Sequence, residues 1–314
     1  MNLQQVRYVR EIARRKLNLS AAAEALHTSQ PGVSRQVREL ESELGVDVFV
    51  RQGKRLTALT PAGERVVEIA ERLWAEVENL KRVGLEFTRA EHGTFVIAAT
   101  HMQARYILPP AIKLFTAKYP DVRLSIRQGS PRDLANGVIH GEADIAVATE
   151  TLDRFPELIT EPLYRWHHCV VVPKDHPLAR VKKLTLARIA AYPLVTYDAA
   201  FTGRSALDET FAQANVPINV VLTAIDTDVI KTYVRHGLGV GIIAGVAFDA
   251  DRDQDLAALD GSKLFPERVT KLAYRKGTYL RGYVKDFIAI LSTSLTNTSL
   301  TKSSLTKSSP AESK

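Results

Sequence analysis

Cysteine is almost absent from this sequence, which contains one, Cys169, among 314 residues. A single cysteine excludes an internal disulfide framework and is typical of a reducing compartment. Apolar residues never continue for the roughly 18–20 positions that a membrane-spanning helix needs. The first twenty residues alternate charged and apolar side chains and lack the apolar core of a signal peptide. These absences predict a cytoplasmic protein with no membrane partner.

The charge balance is moderately basic, with a formal net charge of +7 and an isoelectric point near 9.4. Such a balance favours a polyanionic partner, but many enzymes are equally basic. From Met1 to Thr60 ten Lys and Arg stand against six Asp and Glu, an excess of four that also suits a solvated helical surface. The argument for DNA binding therefore rests on pattern and not on charge. The length allows two or three domains at about 100–200 residues each.

Two short helices joined by a tight turn are predicted near the N-terminus. Ser20 is expected to cap a first helix over Ala21–Leu26, and Pro31 stands where a first helical turn tolerates proline. An apolar stripe at helical spacing follows and ends before a capping glycine, Gly45. The stripe consists of Val33, Val37, Leu40 and Leu44. Together these features indicate a helix-turn-helix.

The polar face of the second helix and the segment after it predict a DNA-binding surface. Arg can donate two hydrogen bonds to guanine in the major groove, and Ser or Gln bind base edges less selectively. Residues 46–50 and 56–59 are expected to pair as a hairpin whose basic tip, residues 51–55, reaches phosphates or the minor groove. The candidate DNA-contacting residues are Ser29, Gln30, Pro31, Ser34, Arg35, Arg38, Lys54 and Arg55.

A long amphipathic helix is predicted after Thr60-Pro61, a capping residue followed by proline. Its apolar residues recur at steps of three and four: Val66, Ile69, Leu73, Val77, Leu80 and Val83. Such a seam favours a partner helix, and the alternative is packing on its own domain. A dimer would place two recognition helices on duplex DNA with two-fold related half-sites.

From Gly93 to about residue 290, short apolar runs alternate with amphipathic helices, which predicts an α/β domain with largely parallel strand pairing. Ligands of such sheets bind beyond the carboxyl ends of strands, near free helix N-termini. Hydroxyl or amide side chains stand at three such turns, which suits a small anion or polar acid, although each threonine could simply cap its helix. These candidate effector-binding residues are Thr100, Met102, Gln103, Thr149 and Thr202.

Other motifs in this half support no catalytic or metal site. The glycines at 237, 239 and 241 follow a helix and precede a strand, the reverse of a dinucleotide loop. His167 and His168 point to opposite faces of a strand, so they do not chelate readily, and Cys169 is expected to be a buried thiol. Asp226 and Asp228 are expected to cap a helix. Trp166 belongs either to the core or to the cleft wall.

The N-terminal third resembles the signature region of LysR-type transcriptional regulators. The resemblance rests on Ala22-Ala23, Ser29-Gln30-Pro31, Ser34-Arg35-Gln36, Leu44-Gly45 and Thr60-Pro61-Ala62-Gly63. It implies DNA contacts through the residues matching Gln30, Pro31, Ser34, Arg35 and the wing at Lys54-Arg55. It also implies a homotetramer built from dimers, and contact with RNA polymerase.

From Gly93 to about Phe287 the chain resembles the effector domain of the CysB type, the LysR regulators of sulfur assimilation, in phrases such as THMQARYILP, ADIAVATE, FTGRSALD and DTDVIKTYVRHGLGVGIIA. The implied fold is that of periplasmic solute-binding proteins, with two α/β subdomains around a cleft. The implied effector is a sulfate-like anion or acetylserine, and no cofactor is implied. Met102 departs from the threonine often found there and cannot donate a hydrogen bond, so another sulfur compound is an alternative effector.

The expected organisation is a winged helix-turn-helix over 1–59, a linker helix over 60–89, an effector domain over 93–290 and a disordered tail over 291–314. Subdomain I is expected at about 93–163 and 266–290, and subdomain II at about 164–265. The expected function is activation of sulfur genes, and autorepression or a LysR-type regulator of another pathway are alternatives. An enzyme or solute-binding module with an N-terminal oligomerisation device, and a general DNA-packaging protein, are alternatives of other classes.

Overall fold

The computed structural model describes residues 1–53, 55–88, 92–149, 151–199, 201 and 203–297. The chain forms two compact units, of which the first ends at Leu85 and the second begins at Glu86. Among the described residues no helix combines the length and apolar character needed to cross a membrane.

The first unit contains a three-helix cluster, a two-stranded hairpin and a long helix. In chain order these elements are α1 (Leu3–Arg14), α2 (Leu19–Ala25), α3 (Gln30–Leu44), β1 (Phe49–Gln52), β2 (Arg55–Leu59) and α4 (Pro61–Thr88).

The helix boundaries follow from local capping. The prediction that Ser20 caps α2 was wrong. Asn18 is the cap, because its side-chain Oδ1 accepts hydrogen bonds from the Ser20 and Ala21 N–H groups and so starts the helix earlier. Gly45 ends α3 with φ of +69°, as predicted. The Thr60 hydroxyl accepts from the Gly63 N–H at 2.8 Å and starts α4.

The core of the first unit is the apolar stripe of α3 packed against α1, α2 and β1. Val33, Val37 and Leu40 are buried with Val9 and Phe49. Burying each such side chain contributes roughly 1.5–3 kcal/mol. The stripe therefore fixes which face of α3 is turned to solvent.

The first turns of α4 pack on this core, whereas the later turns expose the apolar seam. Val66 contacts the core cluster. The Glu71 carboxylate accepts hydrogen bonds from Arg10 at 2.8 Å and from Arg14 at 2.7 Å, which join α1 to α4. Ile69, by contrast, is 51% exposed, and Leu80, further along the helix, is 73% exposed. The seam thus packs partly on its own unit and leaves these two side chains uncovered.

The second unit contains two five-stranded sheets with helices on their faces. Its strands and helices are β3 (Gly93–Ala99), α5 (Leu108–Lys118), β4 (Val122–Gln128), α6 (Pro131–Ile139), β5 (Ile145–Thr149), β6 (Leu158–Trp166), β7 (His168–Pro173), α7 (Leu186–Ala190), β8 (Leu194–Tyr197), α8 (Arg204–Gln213), β9 (Val220–Ala224), α9 (Thr227–Arg235), β10 (Val240–Ala244), β11 (Leu256–Asp260), β12 (Arg268–Arg275) and α10 (Gly282–Asn297).

The first sheet has the order β4-β3-β5-β12-β6 and the second β11-β7-β10-β8-β9. The prediction of largely parallel pairing was wrong. Strand β3 pairs in parallel with β4 and β5, and β8 with β9 and β10, but β12 and β7 each pair antiparallel with both neighbours. Strands β6, β11 and β12 were not predicted, because partial exposure interrupts their apolar patterns.

The chain passes between the sheets at His167, since β6 remains in the first sheet as far as Trp166 and β7 starts the second. Residues 164–166, predicted in the second subdomain, therefore belong to the first.

The predicted tail was also placed too early, because α10 continues to Asn297. Phe287, Leu291 and Leu295 recur every four residues and are buried in the cluster around Phe95. The rest of the predicted tail, 298–314, lies outside the described residues.

Candidate DNA-binding surface and effector cleft

The outer face of α3 presents the predicted recognition residues. The Ser29 hydroxyl accepts a hydrogen bond from the Gly32 N–H at 3.3 Å, so this residue caps the helix. Of the other predicted α3 residues, Ser34 lies beside the buried stripe and is half-buried. The exposed ones are Gln30, Pro31, Arg35 and Arg38.

Arg35 is paired within its own helix. Its guanidinium donates to the Glu39 carboxylate at 2.8 Å, and the Arg35 side chain is 78% exposed. The hydrogen bond and charge of Glu39 raise the pKa of Arg35. An exposed pair of this kind contributes little to stability, so the guanidinium can exchange Glu39 for a base or phosphate at small cost.

Glu41 positions the hairpin and was not predicted from the sequence. Its side chain is 5% exposed and accepts hydrogen bonds from the backbone N–H groups of Val48, at 2.8 Å, and Phe49, at 3.2 Å. Its second oxygen accepts from Arg51 at 2.5 Å. The sequence signal was a carboxylate four residues after Val37, on the buried side of an otherwise apolar stripe.

The hairpin is shorter at its tip than predicted, because β1 extends to Gln52 and β2 starts at Arg55. The tight turn requires a positive φ at Gly53, +62°, which glycine adopts without strain because it has no side chain. Arg55 is exposed beside this turn, and Lys54 lies outside the described residues. Pairing moves Arg51 and Arg55 from the predicted tip into the strands.

In the second unit, a cleft lies between the ends of strands from both sheets. The cleft is narrow, with a cavity volume of about 20 Å³, roughly the space that one water molecule needs. The first sheet contributes Thr100, Met102, Thr149 and Trp166, and the second contributes Tyr197, Phe201, Ile225 and Ala244. The lining carries hydroxyl, thioether, aromatic and aliphatic groups, so the described part of the cleft wall is uncharged.

Three of the five predicted effector-binding residues therefore lie together on the wall: Thr100, Met102 and Thr149. Gln103 lies behind them, fully buried, and Thr202 lies outside the described residues between Phe201, on the wall, and Gly203. Trp166, which the sequence assigned to either the core or the cleft, is buried and also lines the cleft.

Thr270 joins the polar groups behind this wall and was missed because β12 was missed. Its hydroxyl oxygen accepts from Gln103 Nε2 at 3.2 Å and from Trp166 Nε1 at 3.1 Å. It also lies 3.3 Å from the Thr149 hydroxyl. The Gln103 carbonyl oxygen accepts from the Tyr164 hydroxyl at 2.8 Å. Gln103 is thus held at both ends of its amide.

The turn that carries Met102 and Gln103 also bridges the two sheets. It continues as a π-helical turn, Gln103–Ile107. The Tyr106 hydroxyl donates to Asp228 at 2.8 Å and accepts from Lys231 Nζ at 3.1 Å. Arg105 forms an ion pair with the same aspartate. Asp228 and Lys231 belong to α9, so these bonds link the cleft turn of one sheet to a helix of the other.

Lys231 is buried, yet it is fully paired. Burial lowers its pKa, but hydrogen bonds to Asp253, at 2.9 Å, and Tyr106 more than offset this, so the pKa is raised. The ammonium therefore stays charged and anchors the bridge.

The remaining sequence motifs have structural roles. Asp226 caps α9 by accepting from the Asp228 N–H. Burial raises the pKa of the Cys169 thiol to about 12, which leaves it unreactive at neutral pH. Gly237 follows α9 with φ of +74°, in a C-terminal turn. Among the described residues no group of three or more His, Cys, Asp or Glu side chains is arranged to hold a metal ion.

Two protein-family patterns match the chain. The family described as "Bacterial regulatory helix-turn-helix protein, lysR family" matches residues 3–64. The family described as "LysR substrate binding domain" matches residues 88–296.

Individual relatives match over almost the whole chain. The HTH-type transcriptional regulator SsuR of Burkholderia cenocepacia is 50% identical over 295 residues, covering 94% of this chain and 96% of that protein. The regulator CysB of the same organism is 50% identical, covering 94% of each. The crystal structure of the cofactor-binding domain of the Cbl transcriptional regulator is 43% identical, with a TM-score of 0.61, and covers 64% of this chain and 88% of that one.

We expect Arg38→Ala to weaken binding to a specific operator duplex roughly 10- to 100-fold, because an exposed recognition-helix arginine that contacts base edges contributes about 1–3 kcal/mol. Binding to a scrambled duplex should weaken much less. Fluorescence anisotropy at one fixed salt concentration measures both.

The control for this variant is Arg252→Ala, which removes the same charge from a side chain 75% exposed in the second unit. It should bind both duplexes as the wild type does. If Arg38→Ala weakens both duplexes equally, Arg38 contacts phosphate and does not contribute to specificity.

We expect Tyr106→Phe to loosen the bridge between the sheets without unfolding the unit. In this variant Lys231 remains paired with Asp253 and Asp228 remains paired with Arg105. The free energy of unfolding should therefore fall by only about 1–2 kcal/mol. Backbone hydrogen exchange of residues 101–107 should accelerate. The matched control is Tyr274→Phe, which removes one hydroxyl bonded to Glu161 at 2.9 Å and should leave that exchange unchanged. Unchanged exchange in Tyr106→Phe would refute the bridge.

Proposed function

Because the chain belongs to the LysR family and is a DNA-binding transcription regulator and not an enzyme, we propose that a small sulfur-pathway metabolite controls it from the cleft. The proposed effector is a sulfate-like anion, an acetylated serine or a related sulfur compound. The proposed targets are genes for sulfate, sulfonate or thiosulfate use and for cysteine synthesis.

The observation that carries this proposal is the character of the cleft. Hydroxyl groups of Thr100 and Thr149 stand at the ends of two adjacent parallel strands, and the N-terminus of α8 follows Phe201 on the opposite wall. Neutral donors and free helix N–H groups bind small oxyanions without a counter-cation. The similarity to SsuR, CysB and the cofactor-binding domain of Cbl supports the choice of a sulfur compound.

Met102 narrows the choice of effector. Its side chain lines the cleft, and the Tyr164 hydroxyl lies 4.0 Å from its sulfur. A thioether donates no hydrogen bond and adds polarisable apolar surface. The site therefore favours a ligand with an apolar or soft part beside its anionic group, such as thiosulfate or a phosphosulfate ester, over free sulfate alone.

The exposed part of the α4 seam supports assembly through this helix. Ile69 and Leu80 are uncovered, and Leu85 and Phe87 continue the exposed apolar surface at 45% and 84% exposure. A second copy of α4 would bury these side chains and form a dimer. The dimer would bind two-fold related half-sites, and two dimers would form the tetramer that we propose, in contact with RNA polymerase at the promoter.

An effector can change DNA binding only through its different affinities for two conformations of the protein. We propose that occupancy of the cleft favours closure of the two sheets on each other. Closure would change the spacing at which paired recognition helices meet the DNA, and so the length of the protected promoter segment.

The test is a footprint and affinity titration on the DNA upstream of the gene and on a sulfur-assimilation promoter. It is run with and without sulfate, thiosulfate, O-acetylserine, N-acetylserine and adenosine phosphosulfate. We expect a specific footprint that at least one of these probes shortens or moves. A specific footprint unchanged by every probe would contradict the sulfur effector and leave a LysR regulator of another pathway. Equal binding to all DNA would contradict specific regulation.

A further inference from the structure

One buried side chain beside the cleft has no internal partner. His168 is 1% exposed, and neither ring nitrogen has a hydrogen-bond partner among the described residues. Buried polar side chains are nearly always hydrogen-bonded, so an exception calls for an explanation. Burial, aided by the charges of Arg268 and His167, lowers the pKa of His168 to about 3. At neutral pH the ring is therefore uncharged and offers one N–H donor and one acceptor.

The free imidazole points at the first turn of α8. His168 Nε2 lies only 2.7 Å from the position that a Cβ atom on Gly203 would occupy. Gly203 precedes α8 with φ of +97°, and within the part of the chain that the structure describes no side chain caps that helix. The absence of a side chain at Gly203 thus brings Nε2 next to the backbone of a helix N-terminus, whose N–H groups attract anions.

The same imidazole is in contact with the cleft wall. The ring of Trp166, which lines the cleft, meets the His168 ring edge to face, with centroids 4.9 Å apart. The turn that contains Phe201, also on the wall, leads directly to Gly203. The charge of Arg268 acts on the same ring and makes the surrounding potential more positive. Two independent observations therefore fall on the same side of the cleft wall. Among the described residues the ten-residue helix α8 has no side-chain cap, and the buried His168 ring has no hydrogen-bond partner.

We propose that His168 is a specificity-determining residue of the cleft, whose ring nitrogen donates a hydrogen bond to an oxygen of an anionic ligand at the N-terminus of α8. This inference rests on the proposed function, because it assumes that the cleft binds an anion. Since the His168 side chain is covered in the structure, a ligand oxygen reaches its ring only when the packing of this ring against Gly203 and Trp166 loosens.

A purely structural role makes a different prediction. The His168 ring packs against Trp166 and against Phe265, whose centroid lies 5.6 Å away. His168→Phe keeps an aromatic ring in this place and removes both unpartnered nitrogens. Replacing an unsatisfied buried polar group by an apolar one of similar shape is neutral or stabilising. Loss of ligand affinity without loss of stability would therefore identify the nitrogen as the functional part.

The experiment is isothermal titration of the full-length protein with sodium sulfate and sodium thiosulfate, at ionic strength held constant with chloride. Wild type, His168→Phe, His168→Gln and the neighbouring control His167→Phe are compared, and the melting temperature of each is measured. We expect His168→Phe to bind the anions at least about tenfold more weakly at an unchanged or higher melting temperature. Glutamine should restore part of the affinity, and His167→Phe should match the wild type.

The ¹⁵N shifts of the His168 ring provide a second measurement that needs no variant. They should move when the wild type is saturated with sulfate or thiosulfate. Wild-type affinity in His168→Phe, or unmoved ring shifts at saturation, would overturn the role of His168 and leave the anion site intact. A wild type that binds neither anion would overturn the proposed anionic effector and this inference together.

Discussion

The hydroxyl of Thr270 connects groups from three different strand ends and turns behind the cleft wall. It accepts from Gln103 and Trp166 and adjoins Thr149. Each of these groups is buried, and a buried donor without a partner costs about 1–3 kcal/mol. Because the Thr270 oxygen contacts all three groups, the Gln103 amide, the Trp166 N–H and the Thr149 hydroxyl can be buried together without the cost of an unpaired donor. Of the residues on the cleft wall, Thr149 and Trp166 are held directly by this arrangement.

The same network gives the cleft two properties that a regulator needs. Its donors are held in place before a ligand arrives, so binding orders few side chains. Its turn at Gln103 continues to Tyr106, which is bonded to Asp228 of the other sheet. Under the proposed function, a ligand that contacts the turn would act on a bond between the sheets. The chain crosses between the sheets at His167 and returns between β11 and β12, so a change of closure would have to be accommodated at these two crossings.

Helices and caps could be predicted from the sequence because a single residue determines the local geometry. Contacts between strands that are distant in the sequence could be predicted less well. Gly45 and the α3 stripe predicted the DNA-binding helix, and Thr60 predicted the start of α4, because capping and helical periodicity are local. Thr100, Met102 and Thr149 could be named because the carboxyl ends of parallel strands share one edge. Thr270, Glu41 and His168 could not, since their roles come from partners up to 167 residues away or from a partner that is missing. The antiparallel strand β12 carries no continuous apolar run, so nothing in the sequence marked Thr270.

If occupancy of the cleft controls DNA binding, as we propose, the Thr270 network should be needed for that control. The most direct measurement compares promoter footprints of Thr270→Val and Thr270→Ser with the wild type, each with and without the probe that moves the wild-type footprint. Valine keeps the shape of threonine but removes the hydroxyl, whereas serine keeps the hydroxyl. We predict that the valine variant binds the promoter but no longer responds to the probe, and that the serine variant responds. A folded valine variant whose footprint moves as the wild type's does would contradict this prediction.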